Sequence, residues 1–329
     1  MRRLRSNDPC WCGSGRKFKR CHGDRRALQR PVVALGTVSP VRPVPEAIVR
    51  PDYVGGVIGT PRGPQIQTGD SLERMRRAGR VAAEVLLRAG AAVRPGVTTD
   101  AVDAIAHDAY LDLGAYPSDL RYKGYPKSVC TSVNGVICHG IPDDRPLAEG
   151  DIVNIDVTAF IDGRHGDTSA TFVVGDVGDA ILGLVETTRE ATLRGCAAAR
   201  TGAPLRAIAE AIEPFVRSRG YDVVAEYGGH GIGATFHAHP HVNHTVSRRD
   251  DEPLPRGLTL TVEPMVLSGG RGFHQADDGW TEHTDDAMPS AQFEHTIAVT
   301  DDGPEILTVT AAGDTAVGTL DRRAEVLSI

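Results

Sequence analysis

Residues 150–158 read GDIVNIDVT and predict a β-strand with a carboxylate on its polar face. Because side chains alternate along a strand, Asp156 and Thr158 share one face while Ile155 and Val157 share the other. An ionised carboxylate inside a sheet requires a cation, hydrogen-bond donors or a raised pKa. Asp156 therefore predicts a functional site in the middle of the fold.

The sequence around this strand is duplicated at a nearly constant interval. One set of matches, 106 residues apart, pairs Arg94, Gly96, Val102 and Gly114 with Arg200, Gly202, Ile208 and Gly220. A second set, 107 residues apart, pairs Pro146, Leu147, Gly150 and Asp156 with Pro253, Leu254, Gly257 and Glu263. The repeat predicts an α+β domain built from two helix–helix–strand units, related by a pseudo-twofold axis, around a central curved antiparallel sheet. Asp156 and Glu263 should then face each other across its centre.

Two amphipathic helices are predicted ahead of the first strands. Apolar residues recur at intervals of three and four from about residue 70 to 90. A second helix follows Thr98 or Thr99 as N-cap and continues to Gly114. Short β-rich runs separated by Gly and Pro occupy residues 127–175.

Composition is that of a globular chain with one large core and a small appendage. The chain has 329 residues, of which 40% are hydrophobic and 24% charged, which excludes an intrinsically disordered protein. The first thirty residues contain no apolar signal-peptide region, and no later stretch approaches the roughly 18 uncharged residues of a membrane span. We therefore expect a cytoplasmic protein without a membrane partner, and a monomer.

Five side chains of metal-binding type stand at strand or turn positions: Asp156, Asp167, His230, Glu263 and Glu294. Any one of them alone is more simply interpreted as an ion-pair partner or a cap. Together, four carboxylates would repel one another strongly without cations, so the set predicts a divalent metal centre. Oxygen ligands with one nitrogen suit Mn, Fe, Co or Zn, and five ligands favour two bridged ions over one tetrahedral zinc.

Six short segments closely resemble the motifs of type I methionine aminopeptidases: CHGIPD (138–143), NIDVT (154–158), HGDTS (165–169), GHGIG (229–233), TVEPM (261–265) and QFEHT (292–296). The resemblance covers about residues 71–308. It implies the "pita-bread" fold, in agreement with the duplication, and a dinuclear centre held by the five residues named above. It also implies removal of the N-terminal methionine from nascent polypeptides when the second residue is small.

The same resemblance implies roles for the residues around the metals. His139 and His237 match the family's two non-ligand histidines, which contact the substrate amide, and Glu263 is our choice for the proton shuttle. The methionine pocket maps to five residues that are equally good core residues without the family: Tyr122, Tyr125, Cys130, Phe236 and Trp280. Asp119 departs from the family, where a small or thiol residue is usual, and is expected to hinder entry of the methionine side chain. Three further histidines are expected to be solvated, with an additional metal contact as the alternative: His239, His241 and His244.

A second metal site is predicted at the N-terminus from Cys10, Cys12, Cys21 and His22. Crowding of three cysteines into the first tenth of the chain favours a local metal site in a reducing compartment over a disulfide framework. Four N/S ligands suffice for one structural zinc. Residues 7–23, NDPCWCGSGRKFKRCHG, resemble the SEC-C zinc tail of the bacterial preprotein translocase ATPase, with a tight turn over residues 13–15. Free surface thiols are the alternative, and Cys196 is expected to be a small core residue.

Charge is divided unevenly between this N-terminal module, residues 1–30, and the rest of the chain. The module carries ten basic and two acidic side chains, a net charge of +8, so the remainder carries −15 of the total of −7. A basic tip predicts contact with RNA, and hence with the ribosome, whereas a solvated basic terminus is the simpler alternative. Residues 31–66 contain seven prolines and predict an extended linker, in which PVRPVP (40–45) fits either a polyproline ligand or a stiff spacer. Such a linker would let the catalytic domain, residues 67–329, stand away from the contact.

Two other functions stay open at this level. A proline-specific peptidase of the same fold would share the five-ligand set, although CHGIP and the pair Tyr125 and Cys130 argue against it. A ribosome-docking or partner-binding protein without activity would have no use for five such ligands.

Overall fold

A computed structural model describes residues 3–56 and 63–320. Residues 1–2 of the predicted zinc module, 57–62 of the predicted linker and 321–329 of the C-terminal segment lie outside the described residues. Among the helices of the described residues, none has the length and apolar character needed to cross a membrane.

The described helices are α1 (Arg25–Leu28), α2 (Asp70–Gly90), α3 (Thr99–Asp112), α4 (Asp179–Ala198) and α5 (Arg206–Ser218). Strands of the first half are β1 (Tyr116–Pro117), β2 (Cys130–Val133), β3 (Val136–Cys138), β4 (Ile152–Ile161) and β5 (Arg164–Val173). Those of the second half are β6 (Asp222–Val223), β7 (Gly229–Gly231), β8 (Ala238–Val242), β9 (Thr259–Val262), β10 (Met265–Leu267), β11 (Phe273–Gln275), β12 (Glu282–Thr284), β13 (Ser290–Gln292), β14 (His295–Thr300) and β15 (Gly303–Ile306). Short 3₁₀ turns occupy Phe18–Arg20, Asp52–Gly55 and Tyr122–Gly124.

The duplication predicted from the sequence appears as matched backbone hydrogen bonds. The Gly96 amide donates to the carbonyl of Leu147, and the Gly202 amide donates to that of Leu254, both at 2.8 Å. Each bond joins the loop between two helices to the segment that leads into a central strand. The two halves therefore repeat one unit, with α2 and α3 before β1–β5 and α4 and α5 before β6–β15.

Two adjoining antiparallel sheets form the centre of the molecule. In one, β4 pairs with β5 on one edge and with β1 and β2 on the other, and the second has the order β15-β14-β9-β7-β8. The sheets meet where the amide of Glu294 donates to the carbonyl of Ser169 at 2.9 Å. Next to this bond, the Thr296 hydroxyl accepts from the Asp167 amide at 3.0 Å and donates to its carbonyl at 2.8 Å. A threonine side chain thus replaces a backbone partner at the seam.

The helices follow the sequence prediction closely. α2 spans Asp70–Gly90, and α3 begins after Thr98, whose hydroxyl accepts from the Ala101 amide at 3.1 Å as an N-cap. On β4, Ile155 and Val157 are fully buried in one apolar core that draws on both halves of the chain. Cys196 of α4 is also fully buried, as predicted.

Residues 31–51 contain no helix or strand, as expected of an extended linker, yet they pack along the first half of the domain. The Gly36 amide donates to a carboxylate oxygen of Asp143 at 2.8 Å, and the His107 imidazole lies 3.1 Å from the Pro43 carbonyl oxygen. These contacts argue against the expectation that the segment lets the catalytic body stand away from the contact made by the module. Its polar groups find partners on the acidic body, so the segment is a bound strap.

A buried ion cluster fixes this strap. Lys127 is fully buried and pairs with Asp100, and its ammonium group lies 4.0 Å from Asp103, which is also fully buried. Arg42 of the strap adds a second cation at 3.4 Å from Asp103 and 3.2 Å from Asp100. Two cations therefore offset two carboxylates, and one of the cations comes from the strap.

We expect Arg42→Ala to lower the free energy of unfolding by about 1–2 kcal/mol, because a buried carboxylate loses one of its two cations. Chemical denaturation provides the measurement. Arg20→Ala, at an exposed arginine of the N-terminal module, is the control and should change stability by less than about 0.5 kcal/mol. Equal stability of the two variants would contradict a structural role for the strap.

Candidate metal centre

Every residue predicted for the active site lines one cavity of about 420 Å³. The cavity lies where the two halves meet. It brings together the five candidate ligands, the two non-ligand histidines, the five residues of the apolar pocket and Asp119. The remaining predicted residues, those of the zinc module, form a separate cluster.

The five candidate ligands come from both central sheets. Asp156 lies on β4 and Asp167 on β5, whereas His230 lies on β7, Glu263 directly follows β9 and Glu294 directly precedes β14. The Nε2 atom of His230 lies 3.7 Å from a carboxylate oxygen of Asp167 and 3.7 Å from one of Glu263. One ligand atom each of Asp167, His230 and Glu294 lies within 4.8 Å of the others. This spacing suits side chains that share a cation.

Threonine hydroxyls orient two of the carboxylates. Thr158 donates to Asp167 at 2.7 Å, and Thr261 donates to Glu263 at 2.6 Å. The His230 ring is oriented through Nδ1, which lies 3.1 Å from the Gly231 carbonyl oxygen. With Nδ1 donating to that carbonyl, Nε2 is left as a lone-pair donor facing the carboxylates, the usual arrangement behind a metal-binding histidine.

Two more side chains, those of Gln292 and His244, support Glu263. Gln292 donates from its amide nitrogen to Glu263 at 3.2 Å, and the Glu263 backbone amide donates to Nε2 of His244 at 3.2 Å. The expectation that His244 is solvated is therefore wrong, because it is buried behind Glu263. His239 is exposed as expected, and His241 is exposed along the cavity wall.

Because the acids of this cluster are buried, their ionised forms cost free energy unless a counter-charge is present. Burial raises the pKa of Asp156 to about 7 and that of Glu263 to about 8. Burial and then the neighbouring carboxylates raise the pKa of Asp167 and of Glu294 well above the usual range. Burial also lowers the pKa of His230 to about 4, which keeps the imidazole in its neutral, metal-binding form.

An orphaned oxygen gives the test of whether a cation fits. Oε1 of Glu294 is buried without a hydrogen-bond partner among the described residues. A divalent cation would satisfy this atom and offset the repulsion among the four acids. The donor set, mainly carboxylate oxygen with one imidazole nitrogen, fits ions such as Mn, Fe, Co or Zn.

An aromatic and sulfur-lined pocket opens beside these acids. The rings of Tyr125 and Trp280 meet edge to face at 5.0 Å, and those of Tyr122 and Phe236 lie 4.9 Å apart. Cys130 lies directly opposite Asp156 in the pairing of β2 with β4, which places its side chain next to the ligand cluster. An apolar side chain in this pocket would therefore end close to the metals.

Two histidines flank the cluster without joining it. His139 adopts a left-handed backbone conformation with φ of 56°, and its ring lies between those of Tyr227 and Trp280 at 5.6 and 6.1 Å. A non-glycine residue in this region is held there by its surroundings, a feature common at functional sites. The His237 side chain is exposed in the cleft, with its ring 4.2 Å from that of His230.

Asp119 also faces the cavity. Its Oδ2 atom is buried and has no hydrogen-bond partner among the described residues. Burial, and next the negative charge of Asp156, raise the pKa of Asp119 well above its usual range. The departure from the family pattern therefore places a poorly solvated carboxyl group at the pocket wall.

The supporting residues differ in how far the sequence could have revealed them. Thr158 and Thr261 lie two positions from Asp156 and Glu263, on the same strand faces, so alternation alone was a usable signal. Gln292 and His244 reach the site only through the tertiary fold. Seven further cavity-lining residues were not assigned, although they lie within or beside the segments that carry the site: Lys123, Cys138, Glu226, Tyr227, Gly228, Ala238 and Met265.

The N-terminal cluster forms a compact donor set of its own. Nδ1 of His22 lies 3.2 Å from the sulfur of Cys10 and 3.3 Å from that of Cys21, and the sulfurs of Cys12 and Cys21 are 3.6 Å apart. All four ligand atoms lie within 4.8 Å of one another. These spacings approach the edges of a tetrahedron with metal–sulfur bonds of about 2.3 Å, which fits a zinc ion. Ser14 chiefly lowers the pKa of Cys12 to about 7, towards the metal-binding thiolate.

With both clusters described, comparison with known proteins defines the class. Residues 73–301 match metallopeptidase family M24, and the chain belongs to that family, which implies divalent metal ions. Residues 7–24 match the SEC-C motif, so the N-terminal cysteine cluster fits a zinc module.

Within the family the chain is similar to methionine aminopeptidases. It is 51% identical over 280 residues to methionine aminopeptidase 2 of Mycobacterium tuberculosis, covering 85% of this chain and 98% of that protein. It is 42% identical over 286 residues to the human mitochondrial methionine aminopeptidase 1D, covering 86% and 85% of the two chains. The crystal structure of methionine aminopeptidase from Rickettsia prowazekii superposes with a TM-score of 0.73 at 44% identity, covering 75% of this chain and 100% of that one. The prolidase from Pyrococcus furiosus, at 21% identity and a TM-score of 0.61, covers 74% and 65% and shares the fold.

Proposed function

We propose that this chain is a methionyl aminopeptidase that removes the N-terminal methionine from nascent polypeptides in the cytoplasm. The observation that carries the proposal is the single cavity in which a five-residue metal cluster adjoins an aromatic, sulfur-lined pocket. The ligands would be Asp156, Asp167, His230, Glu263 and Glu294, holding two divalent ions among Co, Mn, Fe and Zn. The likeness to prolidases concerns the fold alone and does not carry over their substrate.

Bound to the five ligands, the divalent ions would acidify a water molecule and polarise the scissile carbonyl. The residues of the chain do the rest. Glu263, a carboxylate of the ligand cluster oriented by the Thr261 hydroxyl, accepts the proton from the attacking water and passes it to the leaving amine. His237 and His139 donate hydrogen bonds to the peptide group, where negative charge develops on the carbonyl oxygen.

The shape of the cavity accounts for the exopeptidase selectivity. The pocket formed by Tyr122, Tyr125, Cys130, Phe236 and Trp280 takes the thioether side chain through aromatic and sulfur contacts. The free α-amino group then lies beside the acid cluster. A bulky second residue would crowd the flanking histidines, so we expect preference for a small residue such as alanine at that position.

Peptide cleavage tests the proposal. The metal-loaded enzyme is expected to release methionine from Met-Ala-Ser and to leave an X-Pro dipeptide intact, with metal analysis of the same preparation. Preferential cleavage of the X-Pro dipeptide would favour the proline-specific alternative. If a preparation that contains metal cleaves neither peptide, the result would favour a binding protein that retains the fold.

Asp119 allows a test of the pocket itself. We expect Asp119→Thr to lower KM for a Met-Ala peptide about fivefold with little change in kcat, because the methionine side chain would no longer pack beside an unpaired carboxyl group. Asp119→Asn keeps the shape and cannot ionise, so it should give most of the same effect if ionisation of the carboxyl group is the cause. An unchanged or raised KM in both variants would mean that Asp119 helps to bind the substrate.

The N-terminal module has a separate role in this proposal. We infer that Cys10, Cys12, Cys21 and His22 hold one structural zinc and that the module contacts ribosomal RNA near emerging N-termini. Four basic side chains of the module are exposed to solvent, namely Arg16, Lys17, Lys19 and Arg20. Phe18, which lies between them in the chain, is partly buried. Because the strap is bound, such a contact would hold the catalytic body close to the ribosome.

Cosedimentation with ribosomes at several salt concentrations tests this contact. Lys19→Gln with Arg20→Gln is expected to weaken binding and to reduce its salt dependence by roughly one counterion per removed phosphate contact. Arg248→Gln with Arg249→Gln, at exposed positions of the catalytic body, is the matched control. Equal binding by the two double variants would refute the RNA contact and favour a protein partner.

A further inference from the structure

The zinc module packs against the second half of the catalytic domain, and at Gly183 the contact leaves no room for a larger side chain. Gly183 of α4 faces His22 so closely that a Cβ atom built on it would lie 2.1 Å from Cδ2 of the His22 ring. At the next contact, a Cβ atom on Gly220 would lie 2.3 Å from Phe18. Leu28, at the end of the module, is buried in the main apolar core. A ligand of the predicted zinc site therefore packs directly on a helix of the catalytic body.

A stack of side chains joins the same two parts. The ring of Trp11, between Cys10 and Cys12, lies 4.3 Å from the ring of His22. The guanidinium group of Arg219, at the end of α5, lies 4.2 Å from the centre of the Trp11 ring. A cation of the catalytic body thus covers the peptide segment that carries two of the cysteines.

Tyr221 lies at the same junction, where it lines one cavity together with Phe18, His22 and Leu28 of the module. Its side chain is almost wholly buried, and its hydroxyl has no hydrogen-bond partner among the described residues. Burial, and next the charge of Cys10, raise the pKa of Tyr221, and Cys21 acts in the same direction. The hydroxyl therefore remains protonated and unpaired at the junction.

Gly183, Arg219 and Tyr221 of the catalytic body suit the charge and the space that the zinc site requires. One zinc ion bound by three thiolates and a neutral imidazole carries one negative charge in excess, and its sulfurs accept hydrogen bonds. Among the described residues of the module, the four basic side chains nearest the cysteines in the chain, Arg16, Lys17, Lys19 and Arg20, are exposed to solvent and so are not buried cations. Arg219 brings a cation of the catalytic body onto Trp11, Tyr221 brings an unpaired hydroxyl to the junction, and Gly183 leaves space for the His22 ring.

We propose that the catalytic domain completes the N-terminal zinc site, with Gly183, Arg219 and Tyr221 as positioning residues, so that zinc binding and docking of the module are one coupled event. The inference rests on the zinc proposed above for the module. Zinc loss would release the docking contact at α4 and α5, and docking would slow zinc loss, because coupling between two such events acts equally in both directions.

Thiol reactivity in the full-length protein tests the coupling without reference to peptidase activity. A chelator is added in excess, and Ellman's reagent follows exposure of the three N-terminal thiols, since Cys130, Cys138 and Cys196 are buried. Tyr221→Phe and Arg219→Gln should each speed zinc release about tenfold, within the range typical for residues that support metal ligands. Arg219→Lys should stay close to wild type because it keeps the charge. Gly183→Ala should speed release at least tenfold while favouring helix α4 itself.

Matched controls separate coupling from general loss of packing. Tyr110→Phe removes another fully buried hydroxyl without a partner among the described residues, and Gly178→Ala adds a methyl group at the start of α4 where no atom lies within 4 Å. Both should release zinc at the wild-type rate. If Tyr221→Phe, Arg219→Gln and Gly183→Ala all release zinc at the wild-type rate, the coupling would be overturned. The proposal that the module binds zinc would not be affected by that result. Equal zinc content in wild type and Cys12→Ser would overturn the zinc proposal and the coupling with it.

Discussion

Glu294→Ala and His230→Ala are each expected to lower kcat/KM for Met-Ala-Ser by about a thousandfold or more, because either change removes a ligand of the shared metal cluster. The fold should survive both changes. Four buried acids already repel one another, so removing Glu294 relieves part of that repulsion while metal affinity falls. Metal analysis, circular dichroism and kinetics of the same preparations give the three measurements.

Glu305→Ala is the control for this pair. Glu305 lies on β15, in the same sheet as His230, but pairs with Arg76 at 2.6 Å outside the cavity. This variant should keep its metal and its turnover. Near-normal activity of Glu294→Ala or His230→Ala, with metal retained, would overturn the assignment of the metal ligands.

His237→Ala is expected to retain the metals and to lose roughly two to three orders of magnitude in kcat, the usual scale for one donor to a developing oxyanion. The reason is its position, exposed in the cleft beside His230, where its ring lies 4.2 Å from the ring of that ligand. Metal content and kcat measured together distinguish a donor from a ligand.

His241→Ala provides the comparison, because His241 lines the same cavity without matching either family histidine. It should lose less than about tenfold in kcat. Loss of metal from His237→Ala would place His237 among the metal ligands. Equal losses of kcat in His237→Ala and His241→Ala would contradict the role of His237 as a donor to the developing oxyanion.

The sequence allowed prediction of the features that depend on local pattern. α2 followed from apolar spacing and α3 from its threonine cap, and both agree with the structure within two residues. The central strands followed from alternation in GDIVNIDVT and from the repeat at 106 and 107 residues. The family resemblance then picked out the cavity residues, because its motifs carry chemistry at fixed places in the fold.

The features that escaped prediction depend on contacts between distant segments. The proline-rich strap looks like a free linker because its composition disfavours helix and strand, yet its binding depends on Asp100, Asp103 and Asp143. The sequence near His244 predicts a solvated histidine, whereas in the structure the backbone amide of Glu263, directly after β9, donates a hydrogen bond to its ring. Local composition carries no signal for either contact.

Asp156 and Glu263 stand 107 positions apart in the chain and on different sheets. A cation bound by both would close a loop of that length, as a removable cross-link does, and would restrict the unfolded chain only while it is bound. Its contribution to stability would rise with the logarithm of free metal concentration once that exceeds the dissociation constant. Metal supply in the cell would then govern the lifetime of the folded enzyme as well as its catalytic rate.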